Sequence, residues 1–293
     1  MASALKQLLT PELYDFVVRA MISYERKESF DIGDSVKLIM FSPSPEKEKV
    51  PERVRPILKI LSEMNMDDIV DMLLSLLPPV SHPDFPSQAL GLQLILDQGS
   101  RMCLKGVEMR WIDLFFGEIA SAFAWQLLKL PEDMRPSSWT RWKDIATAEY
   151  YFWVRFLLEI PIVHNESMGE TAVAMTEELR IFFEEYYKTR DRFRDRPELR
   201  WDLYGFPRML QEQGPTVPCS SAEGCFWMLC LLDVHKPPLD KFGRYLYQNW
   251  RQGRTSTAEE CEWMEKVKIF DPPSQEIVDQ IREDVEKGIW RPL

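Results

Sequence analysis

Histidine is the scarcest ionisable residue of this chain: His82, His164 and His235 are its three imidazoles among 293 residues. Imidazole acid–base chemistry near neutrality therefore has few candidates. Cysteine is also sparse. Five residues, an odd number, exclude a fully paired disulfide framework. Cys219, Cys225 and Cys230 lie too irregularly apart for a zinc-ligand set, and the latter two flank Phe226-Trp227-Met228-Leu229. They read as reduced, buried thiols. The chain has no Gly-x-Gly-x-x-Gly, no Walker loop, no Gly-x-Ser-x-Gly and no His-Glu-x-x-His, so no cofactor and no metal is expected. Basic residues are in deficit: the formal net charge is −11, which opposes nucleic acid and anionic lipid as partners. Uninterrupted apolar runs are lacking as well. The longest apolar region, Trp111 to Leu130, is broken by Asp113, Glu118, Gln126 and Lys129, and reads as a buried helix rather than a membrane span. Met1–Leu9 has no long apolar stretch of the secretory kind. The expectation is a soluble, cytoplasmic protein without membrane insertion.

Hydrophobic residues make up 45% of the chain, enough for a sizeable core. Their spacing is helical, alternating β-type runs are scarce, and no fixed-period repeat is visible. Thr10-Pro11-Glu12 forms a helix start, and Leu13, Phe16, Val17, Ala20 and Met21 share the face that follows. Ser42 to Arg53, polar and Pro-containing, reads as a loop or linker. Helices are predicted over Val54–Met64, Met66–Leu76, Pro86–Leu96 with a continuation to about Arg101, and Met109–Leu130. Others are predicted over Trp142–Glu159, Gly169–Thr189 and roughly Ala222 to Val234. Pro78-Pro79 and Pro131 are stops. Asp191–Pro218, rich in Arg, Asp and Pro, looks irregular and partly exposed. Thr257 to Glu260 is a capping box for a helix to about Val267, and Ser274 opens the last helix, with Gly288 as its stop. The fold class is all-α, an assembly of antiparallel helices. Residues 1–35 read as an N-terminal helical extension and 36–293 as a single α-helical domain.

Asp67, Asp68 and Asp71 read as a solvated helix start, and His82 as a residue of a Pro-rich turn. His164 and His235 each end an apolar run. His164 is followed by Asn165 and Glu166, so it can cap a helix, pair with the Glu or act as an acid–base. Asp97-Gln98 and Arg101 follow an apolar run, and Asp97 and Arg101 stand four apart, the spacing of a helical ion pair. Arg244 and Arg254 can add hydrogen bonds to such a pair or hold an anionic ligand bidentately.

These segments together resemble the bacterial and fungal family known as domain of unknown function 924. Its Leu-Asp-Gln-x-x-Arg-x-x-x-x-Gly run is matched by Leu96-Asp97-Gln98, Arg101 and Gly106, and its Pro-x-x-His-Ser-Glu element by Pro161, His164, Asn165 and Glu166. Its C-terminal signature is matched by His235, Phe242-Gly243-Arg244-Tyr245, Asn249, Gly253-Arg254 and Ser256 to Glu260. The ordered match covers about Val36–Glu265. The chain departs from the pattern at Val36 to Phe41, where the Trp of an aromatic-rich start is missing, at Gly99-Ser100, and at Leu246-Tyr247-Gln248, which replaces Pro-His-Arg. It looks like a divergent, fungal-type member. The resemblance implies an all-α, tetratricopeptide-like fold and a convergence of His164, His235, Asp97, Arg101, Arg244 and Asn249 in space. It implies no reaction.

Three functions follow as expectations. The first is an enzyme acting on a small molecule by metal-free acid–base chemistry. In it His164 (with Glu166) or His235 is the acid–base, Asp97 orients, and Gln98, Arg101, Arg244, Asn249 and Arg254 bind substrate. The departures from the family pattern suit a specialised biosynthetic role, in secondary metabolism, such as a cyclisation, isomerisation or hydrolysis. The second is a tetratricopeptide-like module that binds a protein partner without catalysis. The third is a purely structural polar cluster with function elsewhere, for example at the Arg-rich stretch Arg190–Arg200.

Overall fold

The computed structural model describes residues 2–268 and 272–293. Among these there is no β-strand, and the chain is all-α. The N-terminal helices are α1 (Ala2–Leu8) and α2 (Pro11–Met21). Thr10 starts α2 as its sequence demands: the hydroxyl accepts the Leu13 N–H at 3.3 Å. Leu5, Leu9, Leu13 and Tyr14 join the same buried apolar cluster as the rest of the chain. Then come α3 (Ile32–Val36) and a π-helical turn over Lys37–Phe41.

The loop expected over Ser42 to Arg53 is mostly helix: α4 spans Pro45–Ser62. Ser44 caps it, Pro45 occupies its first turn, and Glu46 and Glu48 face the positive end of its dipole. The Lys47 ammonium closes the preceding turn by donating to the carbonyls of Leu38, Ile39 and Ser42. Two internal prolines, Pro51 and Pro56, are tolerated because Val50, Val54, Ile57, Leu58 and Leu61 are buried. Tertiary burial outweighs a poor local preference here.

After α5 (Met66–Leu76) comes α6 (Phe85–Leu94), which passes into a second π-helical segment, Ile95–Gly99, and then α7 (Ser100–Cys103). The helix expected over Met109–Leu130 is present as a continuous helical run over 110–128, in which a third π-helical segment (Ile112–Gly117) leads into α8 (Glu118–Leu128); a 3-10 turn over Gly106–Met109 precedes it. The helix expected at Trp142–Glu159 begins later and ends later, as α9 (Ala148–His164). Thr147 caps it through the Tyr150 N–H, which fixes the start, and Pro161 lies inside its last turn.

The chain continues with α10 (Gly169–Tyr187), α11 (Pro197–Arg200), α12 (Gly205–Glu212), α13 (Ser221–Asp233), α14 (Lys236–Phe242), α15 (Ala258–Val267) and α16 (Gln275–Glu286). Capping boxes at Ser220 and Thr257 start α13 and α15. The stretch Asp191–Pro218 is more ordered than its composition suggests. Phe193, Phe206 and Met209 are buried, and Asp191 is fully buried against Arg180.

The centre of the molecule is α9, every residue of which is buried except Glu149 in its first turn and His164 at its end. Helices α6, α8, α10 and α13 pack around it. A helix apolar on all sides belongs inside a protein. Two close approaches need glycine. A Cβ on Gly91 would lie 2.6 Å from the Tyr14 Cβ, where α6 crosses α2, and one on Gly224 would lie 2.2 Å from the Gly33 amide, where α13 crosses α3. All five cysteines are free thiols; Cys103, Cys225 and Cys230 are buried. Asp67, Asp68 and Asp71 are exposed. Among the described residues, no helix is long and apolar enough to cross a membrane.

Candidate active site

Each of the three π-helical segments delivers residues to one region. A π turn holds one residue more than an α turn and redirects the side chains around it. The segment Ile95–Gly99 turns Asp97 inward, where it is 2% exposed. One Asp97 carboxylate oxygen accepts the Gln98 Nε2–H at 2.7 Å. The other accepts the Arg101 Nε–H at 3.2 Å and lies 3.2 Å from His164 Nδ1. Arg101 Nη2 is 3.1 Å from that same Nδ1, and Nη1 is 3.8 Å from an Asp113 oxygen. Asp113, from the segment Ile112–Gly117, binds Arg251 at 2.7 and 3.3 Å. The result is a row of alternating charges, Asp97, Arg101, Asp113 and Arg251, buried except at the partly exposed Arg101.

The row sets the proton state of its neighbours. Burial alone would raise the Asp97 pKa, but Arg101 and His164 hold it well below the usual carboxylate range. His164 is pulled below its ordinary value by burial and by the Arg101 cation, against the opposing pull of Asp97. It is therefore neutral at pH 7 and has two uses for Nδ1. With a proton there it donates to Asp97 and leaves a lone pair on Nε2; without one it accepts from Arg101 and carries its proton on Nε2. His235, just beyond α13, has no such choice. Its Nδ1 lies 2.8 Å from the Leu231 carbonyl, which only accepts, so Nδ1 carries the proton and Nε2 the lone pair. Burial, and then the proximity of His164, lower its pKa to about 3. Its ring packs on Phe206 at 4.0 Å and edge-on to Tyr245.

Both histidines border a cavity of about 320 Å³. Its apolar wall comes from Met40 and Phe41 of the first π turn, Phe156, Leu157 and Ile160 of α9, Phe206 and Leu210 of α12, and Leu231 and Leu232 of α13. Its polar end is Gln98, Arg101, His164, His235, Gln248 and Arg251, with Tyr247 beside them. Pro161 has no N–H for the Leu157 carbonyl one turn earlier, a consequence of its ring. Arg101, His164 and Gln248 also line a second, polar chamber of about 190 Å³, completed by Asp113, Gly117, Glu118, Asn165, Glu166, Ser167 and Gln252. A wider groove of about 550 Å³ lies elsewhere, along Arg192, Arg208 and Trp227. Its cations are engaged: Arg208 pairs with Asp202 at 2.7 Å, and Arg192 lies over the Phe193 ring.

Of the residues singled out in the sequence, Asp97, Gln98, Arg101, His164 and His235 come together at this place. The others do not. Glu166 does not pair with His164: its carboxylate takes the Arg254 guanidinium at 2.7 and 2.8 Å and the Tyr245 N–H at 2.7 Å. Arg254 is held there and by the Tyr245 carbonyl, rather than free for an anion. Arg244 is committed to Glu260 by two hydrogen bonds of 2.7 Å, and Asn249 donates to Ser256 at 3.0 Å. These residues form a clasp around the start of α15. Local sequence spacing hides it because each partner is brought by a different turn. Nor does the Arg-rich stretch present free cations throughout. Arg194 binds Glu177 and Glu184, and Arg200 shares Asp233 with the fully buried Arg180.

Residues not anticipated include Asp113, Glu118, Phe156, Tyr247, Gln248 and Arg251. Two carried a signal: Tyr247 and Gln248 are positions at which the chain departs from the family pattern. So are Met40 and Phe41, and all four border the site. Among the described residues, no group of three or more His, Cys, Asp or Glu side chains is placed to hold a metal ion.

Comparison with known proteins agrees with the resemblance. The family model described as bacterial protein of unknown function (DUF924) matches residues 77–268, and the chain belongs to that family. No curated protein and no solved structure matches it.

Proposed function

We propose that this member of the bacterial family of unknown function DUF924 binds a small organic molecule in the apolar cavity and acts on it by proton transfer. The observation that carries the reading is the meeting of two neutral imidazoles, one oriented by an ionised buried carboxylate, at the polar end of one cavity of about 320 Å³. Pockets of this size and lining are the usual sites of small ligands.

In this reading His164 donates its Nδ1 proton to Asp97 and presents Nε2 as general base; in its other tautomer it is the acid. Arg101, fixed by Asp97 and Asp113, stabilises a carbonyl or developing oxyanion. His235 presents a lone pair at Nε2. The chemistry these groups suit is proton transfer in a cyclisation, isomerisation or hydrolysis. The four bordering residues at family departures, Met40 and Phe41 in the wall and Tyr247 and Gln248 at the polar end, fit a substrate particular to this chain. A tetratricopeptide-like module binding a protein partner would use a broad groove; the small cavity bordered by both histidines favours the first reading.

The test is a screen of a metabolite extract by thermal shift and mass spectrometry on the wild type, His164→Ala and His235→Ala. A small molecule retained by the wild type and lost from a folded variant supports the reading. Retention of the same molecule by both folded variants, or no retained molecule with variants that merely melt earlier, overturns it.

A further inference from the structure

The wall between the two chambers is polarised. Asp113, Glu118 and Glu166 border the polar chamber and not the apolar cavity, whereas Arg251 borders the apolar cavity and not the chamber. Arg101 reaches both. Among the described residues no carboxylate lines the apolar cavity, so the charges its polar end presents are two guanidinium groups. One carboxylate oxygen holds them side by side: Asp113 Oδ1 is 3.3 Å from Arg251 Nη2 and 3.8 Å from Arg101 Nη1. The row of four charges is neutral as a whole. What a ligand in the cavity meets is its arrangement, with the cations in front and Asp97 and Asp113 behind them.

Arg251 has donors to spare. Its side chain is 9% exposed, and its Nε and Nη2 are taken by Asp113 at 2.7 and 3.3 Å. Its Nη1, with two hydrogens, makes no hydrogen bond among the described residues, and it is not one of the atoms sealed from contact inside the protein. Gln248, at the same end of the cavity, cannot readily serve it, because its side-chain carbonyl already accepts from Gln252 at 2.8 Å. A guanidinium fixed on one edge by a bidentate carboxylate offers its remaining nitrogen in a set direction. The ligand supplies the missing acceptor.

We propose that the ligand is an apolar organic acid, with its carboxylate on Nη1 of Arg251 and its body against Phe156, Ile160 and Leu231. This rests on the reading of the apolar cavity as a ligand site, and adds the charge of what it holds. It also divides the work of the two arginines: Arg251 anchors the carboxylate, and Arg101 stays beside His164 for the reacting oxygen. An organic amine is disfavoured, because its ammonium group would meet two cations and no carboxylate at this wall.

The experiment is a calorimetric titration of the full chain at pH 7 with three probes that share a phenylalkyl body: 3-phenylpropanoate, its uncharged isostere 3-phenylpropanamide, and 3-phenylpropylamine. The acid is expected to bind about tenfold more tightly than the amide, as when a charge-assisted hydrogen bond replaces a neutral one, and the amine most weakly. The double variant Arg251→Gln, Asp113→Asn removes the anchor without stranding a buried carboxylate, and is expected to bring the acid down to the level of the amide. If that variant does not fold, Arg251→Lys decides on the same ratio: it keeps a cation for Asp113 but has no second nitrogen for the ligand. Amide or amine binding as tight as the acid's in the wild type, or an acid preference that survives in the folded variant, overturns the organic-acid proposal while the cavity reading stands. Failure of all three probes to bind overturns both.

Discussion

His164 Nδ1 and Asp97 Oδ1 lie 3.2 Å apart, with the Arg101 guanidinium 3.1 Å from the same nitrogen. One ring atom thus faces a donor and an acceptor, and the two pull the His164 pKa in opposite directions. Removing each should separate them. Arg101→Gln removes a cation that disfavours the imidazolium, so the His164 midpoint should rise; Asp97→Asn should lower it further. Nitrogen-15 NMR titration of labelled histidine reads both, and an unmoved midpoint in Arg101→Gln would contradict the coupling.

His235 ties stability to pH. Its folded pKa, about 3, lies below the unfolded value near 6.5. The unfolded state therefore takes up a proton first as pH falls, and the contribution present above about pH 6.5 is lost progressively towards pH 3. His235→Asn, which keeps a donor for the Leu231 carbonyl, should lose less stability than the wild type between pH 7 and pH 4. Urea unfolding across that range is the measurement, and parallel pH profiles would refute the assignment.

Arg180 is fully buried and binds Asp191 and Asp233 at 2.6 Å each. Arg180→Met strands buried carboxylates, a change that typically costs about 3–5 kcal/mol. Denaturant unfolding should show a loss of that order, and a melting curve equal to the wild type's would contradict it.

Arg244 separates the clasp from the site. Arg244→Gln unpairs Glu260, which is nearly buried, and should cost about 1–3 kcal/mol. Ligand retention should survive while the fold does. Loss of ligand from a folded Arg244→Gln protein would place Arg244 back among the binding residues.

Gly224→Ala should be destabilising despite the better helix propensity of alanine, because the new methyl meets the Gly33 backbone at 2.2 Å. A cost of about 1–3 kcal/mol is expected for such overpacking. A melting temperature equal to the wild type's would mean that α3 moves aside freely.

Much of this was legible in the sequence where the determinant is local. Thr10 and Thr257 cap the helices they are expected to cap, and Met66–Leu76 has the bounds its periodicity predicts. The pairing of Asp97 with Arg101 follows from their four-residue spacing. What was hidden is what distance along the chain hides. Ser42 to Arg53 looked like a loop because its prolines are visible and the surface that buries Val50 is not. Glu166 looked like a partner of His164 because they are neighbours in sequence, but Arg254 arrives from 88 residues away and takes it. Asp113 and Glu118 looked like interruptions of an apolar helix. The π-helical segment between Ile112 and Gly117, which no periodicity rule announces, gives them their place at the polar chamber.

Those π-helical segments make the site a matter of chain length as well as chemistry. Each carries one residue beyond what an α-helix needs, and removing one residue turns the flanking helix by about 100°. A single deletion within 95–99, or within 112–117, would leave nearly every side chain of the site in the sequence and still swing Asp97 or Asp113 out of line with Arg101. Variants of identical composition around the cavity but shorter by one residue would thus be register mutants, in which the core persists and the row of charges is dismantled.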